Sequence, residues 1–150
     1  MVLALWALWL FWLWQPERQV RLHTTHFLKN VERRNWTAAR AMMADDFTDR
    51  WGHDKNSALE DARQVFSQFL FLTIENRHVY AVVYGQEGAT DTTVKISGNG
   101  GPIPQLVMEK VNTLQKPFSF AWRRAGGGPW NWQLIHIDQA ELNLEANGGF

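Results

Sequence analysis

Hydrophobic positions along this chain change their period from one stretch to the next, and the changes mark out its elements. Residues 1–14, MVLALWALWLFWLW, are apolar without interruption and carry no charged side chain. From Pro16 the period becomes helical: Val20, Thr24, Phe27, Leu28 and Val31 fall on one face, while Arg18, Arg21, Lys29 and Glu32 fall elsewhere. Pro16 suits the first turn of that helix and Glu17 its positive dipole end. Arg33-Arg34-Asn35 closes it, with Asn35 the residue suited to a left-handed conformation. Residues 36–43, WTAARAMM, predict a second short helix with Trp36, Ala39, Met42 and Met43 inward, and 47–51 a short strand. Ser57-Ala58-Leu59-Glu60 reads as a capping box opening a third helix over 57–71, with Leu59, Ala62, Val65, Phe66, Phe69 and Leu70 as its stripe.

The period then drops to two over 72–84, LTIENRHVYAVVY, the longest run of strand composition. Carried straight through, this alternation puts Ile74, His78, Tyr80, Val82 and Tyr84 on one face, with Thr73, Glu75, Arg77, Val79, Ala81 and Val83 on the other. Residues 85–89 supply a hairpin turn, and 90–96 returns with Val94 and Ile96 sharing a face. The glycine-rich stretch 97–102 reads as a flexible turn, and 103–114 as a short helix or irregular excursion through Ile103, Val107, Val111 and Leu114. Pro117 opens a strand with Phe118, Phe120 and Trp122 together. After the turn Gly126-Gly127-Gly128-Pro129, Trp130, Trp132, Leu134, His136 and Asp138 share a face of the last strand, opposite Ile135 and Ile137. Residues 145–150 read as a loose tail. Helices followed by a meander of strands predict an α+β domain, with helices on one face of an antiparallel sheet.

A length of 150 residues suits one domain with its own core. Fifteen basic residues balance fifteen acidic ones with no long block of either sign, which argues against a nucleic-acid binder. The chain has no cysteine, so disulfides, thiolate nucleophiles and zinc–thiolate sites are excluded. Composition changes the picture most at the start. As a helix, the first fourteen residues would reach roughly 21 Å at ~1.5 Å per residue, short of a hydrocarbon core of ~30 Å. Tryptophans near the end of such a run suit a membrane interface. The expected role of 1–15 is therefore a membrane anchor, single-pass or peripheral, ahead of a domain over 16–144. The basic residues that follow it, Arg18, Arg21, Lys29, Arg33 and Arg34, would place that domain on the cytoplasmic side.

The element order from Gln19 to about Leu144, together with the segment NWTAARAMMADDFTDRW, resembles the nuclear transport factor two-like superfamily, the fold shared with ketosteroid isomerases and SnoaL-like cyclases. The shared feature is a short helix ending in an acidic and an aromatic residue, here Asp46-Phe47, just before the first strand. The resemblance implies a cone-shaped, curved antiparallel sheet wrapped around three helices, a pocket at the open end of the cone, and a homodimer made through the sheet. The superfamily includes enzymes, transport adaptors and assembly domains, so fold leaves function open.

The candidate site follows from the strand faces. His78, Tyr80, His136 and Asp138 lie on the apolar side of their strands, where they would converge among Phe118, Phe120 and Trp122, with Tyr84 and Trp132 lining the same pocket. A histidine oriented by an aspartate is a general base; the competing reading is that these groups are satisfied by backbone or water near strand ends. His23 and His26 stand three apart on a helix, with His53-Asp54 elsewhere, too few converging ligands for a metal. No metal and no cofactor is expected. Gly98-Asn99-Gly100-Gly101 lacks the Lys-Ser/Thr of a phosphate-binding loop, and there is no Gly-x-Ser-x-Gly elbow. Together these readings predict a membrane-anchored, non-catalytic domain that binds a small apolar ligand or a partner protein. The alternative is a small-molecule isomerase, cyclase or hydratase using the His-Asp-Tyr cluster.

Overall fold

In the computed structural model, which describes residues 1–142, the elements run α1 (Val2–Leu13), α2 (Pro16–Glu32), α3 (Trp36–Ala41), β1 (Met43–Asp49), α4 (Lys55–Phe66), β2 (Phe69–Tyr84), β3 (Glu87–Gly100), α5 (Pro102–Asn112), β4 (Phe118–Arg124) and β5 (Trp132–Asp138). The tail expected over 145–150 and the last residues of the expected 16–144 domain lie outside the described residues. The strands form one curved sheet in the order β1-β5-β4-β3-β2. The sheet is mixed rather than wholly antiparallel, because β1 runs parallel to β5. The chain enters β1 from a helix and leaves it into a helix, so no hairpin dictates an antiparallel pairing there.

α2 buries the face its period predicts: Val20, Thr24, Phe27, Leu28 and Val31 are all inside. Thr24 fixes that face to the sheet. Its hydroxyl donates to Val20 O at 3.0 Å, meets Thr90 Oγ1 of β3 at 2.7 Å, and accepts from Trp122 Nε1 of β4 at 2.9 Å. One donor and two acceptor positions are all a hydroxyl has, so the group is saturated. At the end of α2 the left-handed residue is Arg34, with φ 56°, and not Asn35. Asn35 instead caps α3, accepting from Ala38 N, while Arg34 is held by its own bond to Phe69 O at 2.7 Å.

Three boundaries differ from the sequence reading. β1 begins at Met43, since Met43, Ala44 and Phe47 are buried in the sheet and the helix before it stops at Ala41. α4 begins a turn early: Asp54 is the cap, its carboxylate accepting from Ser57 N at 2.8 Å while Ser57 Oγ accepts from Asp54 N at 2.9 Å. A carboxylate is at least as good a cap as a hydroxyl, and the earlier start satisfies both partners. α4 then ends at Phe66, and Phe69 and Leu70 belong to β2. The stretch expected as a flexible glycine turn is strand. Gly98 pairs with Leu72 and Gly100 with Phe69. A Cβ on Gly98 would stand 2.1 Å from Phe71 O, so only glycine allows the two backbones this close.

Two bulges decide which side chains face the helices. On β2, Arg77 pairs with Thr93 and Tyr80 with Asp91, three steps against two, with His78 at φ 54° in the extra position. On β5, Leu134 and His136 oppose the adjacent Trp122 and Ala121, leaving Ile135 as the additional residue. Each bulge turns everything beyond it to the other face. Beyond the first, Val83 packs on the core while Tyr80 and Tyr84 are 70% and 81% exposed. Beyond the second, Ile137 packs against the core opposite Phe120, and His136 and Asp138 pair with the outward Ala121 and Ser119.

α1 forms as a helix, yet none of its residues is buried. Among the described residues no helix is long and apolar enough to cross a membrane.

Replacing Thr24 with valine keeps the volume but leaves the Trp122 indole N–H and the Thr90 hydroxyl without their partner. Urea unfolding of Thr24→Val is expected to show a loss of about 2–3 kcal/mol, in the range for stranding buried polar groups, and a change under ~0.5 kcal/mol would show that the hydroxyl does not pin α2.

Candidate functional site

Between the inner face of the sheet and the helices lies a cavity of about 590 Å³. α2 contributes Phe27, Leu28 and Val31, α5 contributes Val107 and Val111, and the sheet supplies Phe47, Ile74, Val94, Ile96, Phe118, Phe120 and Ile137. The remaining wall is α4, through Leu59, Ala62, Val65 and Phe66. Two of the residues α4 presents to this space, Ala58 and Ala62, are small.

One end of this apolar chamber is polar. The β1–α4 loop carries Asp49, Trp51 and His53, and they meet Asp61 and Gln64 of α4 there. Asp49 Oδ1 accepts from Trp51 N at 2.9 Å and His53 N at 2.8 Å, an aspartate folding its own loop back on itself. Its other oxygen lies 2.8 Å from His53 Nδ1, and the far ring nitrogen, Nε2, lies 2.8 Å from Asp61 Oδ2. The imidazole thus lies between two carboxylates, one at each ring nitrogen. The side chains are graded in exposure: Asp49 at 6%, His53 at 22%, Asp61 at 59%. The array therefore runs from a buried carboxylate to an exposed one across a single ring. Trp51 closes the flank, its indole N–H donating to Leu142 O at 2.7 Å.

The residues singled out from sequence are scattered by comparison. Phe118 and Phe120 line the cavity. Trp122 and Trp132 are core residues that do not line it, with indole N–H groups bonded to Thr24 and to Pro129 O. His78 sits exposed in the β2 bulge, and Tyr80 and Tyr84 are on the outer face. His136 Nδ1 is 3.2 Å from Thr48 Oγ1, and Asp138 accepts from Arg50 at 3.0 Å. His78, Tyr80, His136 and Asp138 are thus not brought together, because the two bulges turn them away from the chamber. Asp46 and Phe47 point oppositely: Phe47 lines the cavity, and Asp46 takes both guanidinium nitrogens of Arg123 at 2.9 and 2.7 Å. Sequence reasoning missed Asp49 and Asp61, and weighed His53 only beside Asp54 as a metal-ligand type. The available signal was an aspartate and a histidine four apart in a short loop between a strand and a helix, facing an acidic residue two turns into that helix. Among the described residues no group of three or more His, Cys, Asp and Glu is placed to hold a metal ion.

No family model matches the chain, and no curated protein matches it. Solved structures do match. The Bdellovibrio bacteriovorus protein Bd1075 superposes with a TM-score of 0.63 at 10% identity, over 84% of this chain and 41% of its own, so this chain spans less than half of that protein. A nuclear transport factor two-like protein of unknown function from Pseudomonas putida gives 0.61 at 14% identity, over 81% of this chain and 82% of its own. A proposed dehydratase of the same fold family from Streptomyces avermitilis gives 0.58 at 17% identity, over 81% and 91%. The chain has the nuclear transport factor two-like fold, shared with SnoaL-like proteins.

The cavity wall α4 also has a titratable fastening. The backbone N–H of Ser57, and next its hydroxyl, hold the Asp54 carboxyl below its ordinary value. A depressed folded-state value means the contribution is fully present above the ordinary aspartate range and is lost as pH falls through the lowered value. Asp54→Asn should therefore flatten the acid limb of a urea-midpoint-against-pH profile while still capping α4. An unchanged acid limb would show that the Asp54 charge plays no part in fastening the wall.

Proposed function

We propose that this chain is a non-catalytic binding domain that holds a small, mostly apolar molecule in the chamber between sheet and helices. The observation that carries this reading is the cavity itself. At about 590 Å³, with apolar walls and one polar end, it has the make-up of a small-molecule site, for which the usual range is ~300–1,000 Å³. At the polar end both Asp49 oxygens are already engaged, so Asp61 and Gln64 are the groups left to meet a ligand. A hydroxyl or amine on an otherwise apolar body, donating to Asp61, fits that arrangement. The cavity's polar side chains are confined to that one end and the rest of its lining is apolar, which suits holding an apolar body.

One observation favours a second reading. Asp49 is held by two backbone amides and orients His53, the arrangement that makes a histidine a proton-transfer group next to an apolar chamber. In that reading His53 gives or takes a proton at a ligand seated against Ile137 and Phe118, as an isomerase or dehydratase requires. The two readings separate on His53→Gln. A binding domain keeps its ligand unchanged in chemical form with this variant, whereas a catalyst loses the product and accumulates the substrate.

The direct test is mass spectrometry of small molecules extracted from the full chain purified out of its own host, beside Ala62→Trp. An indole on α4 at that position projects into the chamber. One molecule per chain is expected with the native protein, with occupancy down about tenfold or more in Ala62→Trp at unchanged helix content. A native chain that is empty, and gains no ligand from host extract, would sink the proposal.

A further inference from the structure

We propose that α1 is embedded in a single leaflet of a lipid bilayer, with Trp14, Trp130, Arg18 and Arg124 at headgroup level. This inference is independent of what the cavity holds. Leu3, Leu5, Leu8, Trp9 and Phe11 are all more than half exposed. At ~100° per residue these five, together with Trp6 at 60% exposure, leave no side of the helix axis without an exposed apolar side chain. A protein groove or a second copy covers one stripe of a helix and leaves the opposite side in water. Only a medium that surrounds the helix removes all of this surface from water, and lipid is that medium. Length selects the mode. The twelve residues described span roughly 18 Å, close to one leaflet of a core ~30 Å thick.

The base of α1 has the composition of an interface. Trp14 stacks against Trp130 with centroids 6.1 Å apart, and Trp130 is itself exposed. The Arg18 guanidinium lies 3.5 Å over the Trp12 ring and Arg124 lies 4.9 Å over Trp132. Both arginine side chains are only partly buried, with each guanidinium set against an indole at this end of the domain. Arg21 is exposed one turn further along, and Glu17 is the opposing charge on the same helix. Gln19 Nε2 donates to Leu13 O at 2.7 Å, tying α1 to α2 across the Gln15-Pro16 corner. Indoles with arginines beside them are what a headgroup layer takes up.

The test is flotation of the full chain with vesicles of phosphatidylcholine alone and of phosphatidylcholine with phosphatidylglycerol. Because the chain has no cysteine, Leu3→Cys provides a unique site for a spin label that reports depth. The expected result is flotation with both vesicles, severalfold stronger with the anionic ones, and a Leu3 label near the bilayer midplane. Leu5→Glu with Phe11→Glu should abolish flotation without changing helix content, since α1 buries nothing in the domain. Arg18→Gln with Arg21→Gln should bring flotation with the anionic vesicles down to the level seen with phosphatidylcholine alone. The proposal is overturned by a chain that stays unbound, by flotation that survives the two glutamates, or by a Leu3 label reached from the vesicle lumen. A lipid-indifferent oligomer held together by α1 would overturn it in favour of a second copy.

Discussion

A single buried hydroxyl holds this fold in the shape that leaves room inside it. Thr24 ties α2 to β3 and β4 at once, through Thr90 and Trp122, and has no hydrogen-bonding capacity left over. Phe27, Leu28 and Val31 follow at three, four and seven residues, on the same face of the helix, so the site at which Thr24 docks decides where they stand over the sheet. They stand as one wall of the cavity. The other side of the sheet's inner face is fastened by comparable polar ties: Asn112 of α5 bonds both the N–H and the C=O of Ile96, and Glu32 accepts from Ile74 N. These supply partners to strand backbone that extends past its neighbours in the sheet. Hydrophobic burial closes the domain, and these few polar bonds set its register.

What was legible in the sequence was whatever kept a single period. α2 shows its whole buried face at 3.6-residue spacing, α5 shows Val107 and Val111, and β4 shows Phe118, Phe120 and Trp122 on one side. What was not legible was a change of phase inside an element. Nothing in RHVY or in LIHI announces an added residue, because a bulge is imposed by the partner strand's register and not by the residues at the bulge. His78 is a non-glycine residue at positive φ, a conformation no local pattern predicts. Alternation carried through both bulges gathers His78, Tyr80, His136 and Asp138 on one face, while the folded sheet turns them away from the chamber. The capping box was a smaller case. Asp54 and Ser57 are both cap residues three apart, and a one-turn ambiguity is inherent in such a pair.

The polar end of the cavity escaped notice for a different reason. Asp49 ends a strand and His53 lies in the loop after it, and their alignment depends on the aspartate accepting two amides of that loop. Asp61 joins them only because α4 begins at Lys55, which sets that side chain on the turn facing His53. Sites built from a loop and the helix it feeds are legible once both ends are placed, and the helix start was the boundary that moved.

α4 contributes most of one wall to the cavity and yet has no residue that is itself buried. Its polar attachments lie along its first two turns, in the Asp54 cap, the Lys55 ammonium on Met43 O and the His53–Asp61 contact, and at its far end Phe66 packs against Trp36 and Phe69. Of the helices that line the chamber, it is the one whose displacement would uncover no fully buried side chain of its own. The chamber is partly open to solvent as it stands, so a molecule can reach it without first detaching this helix.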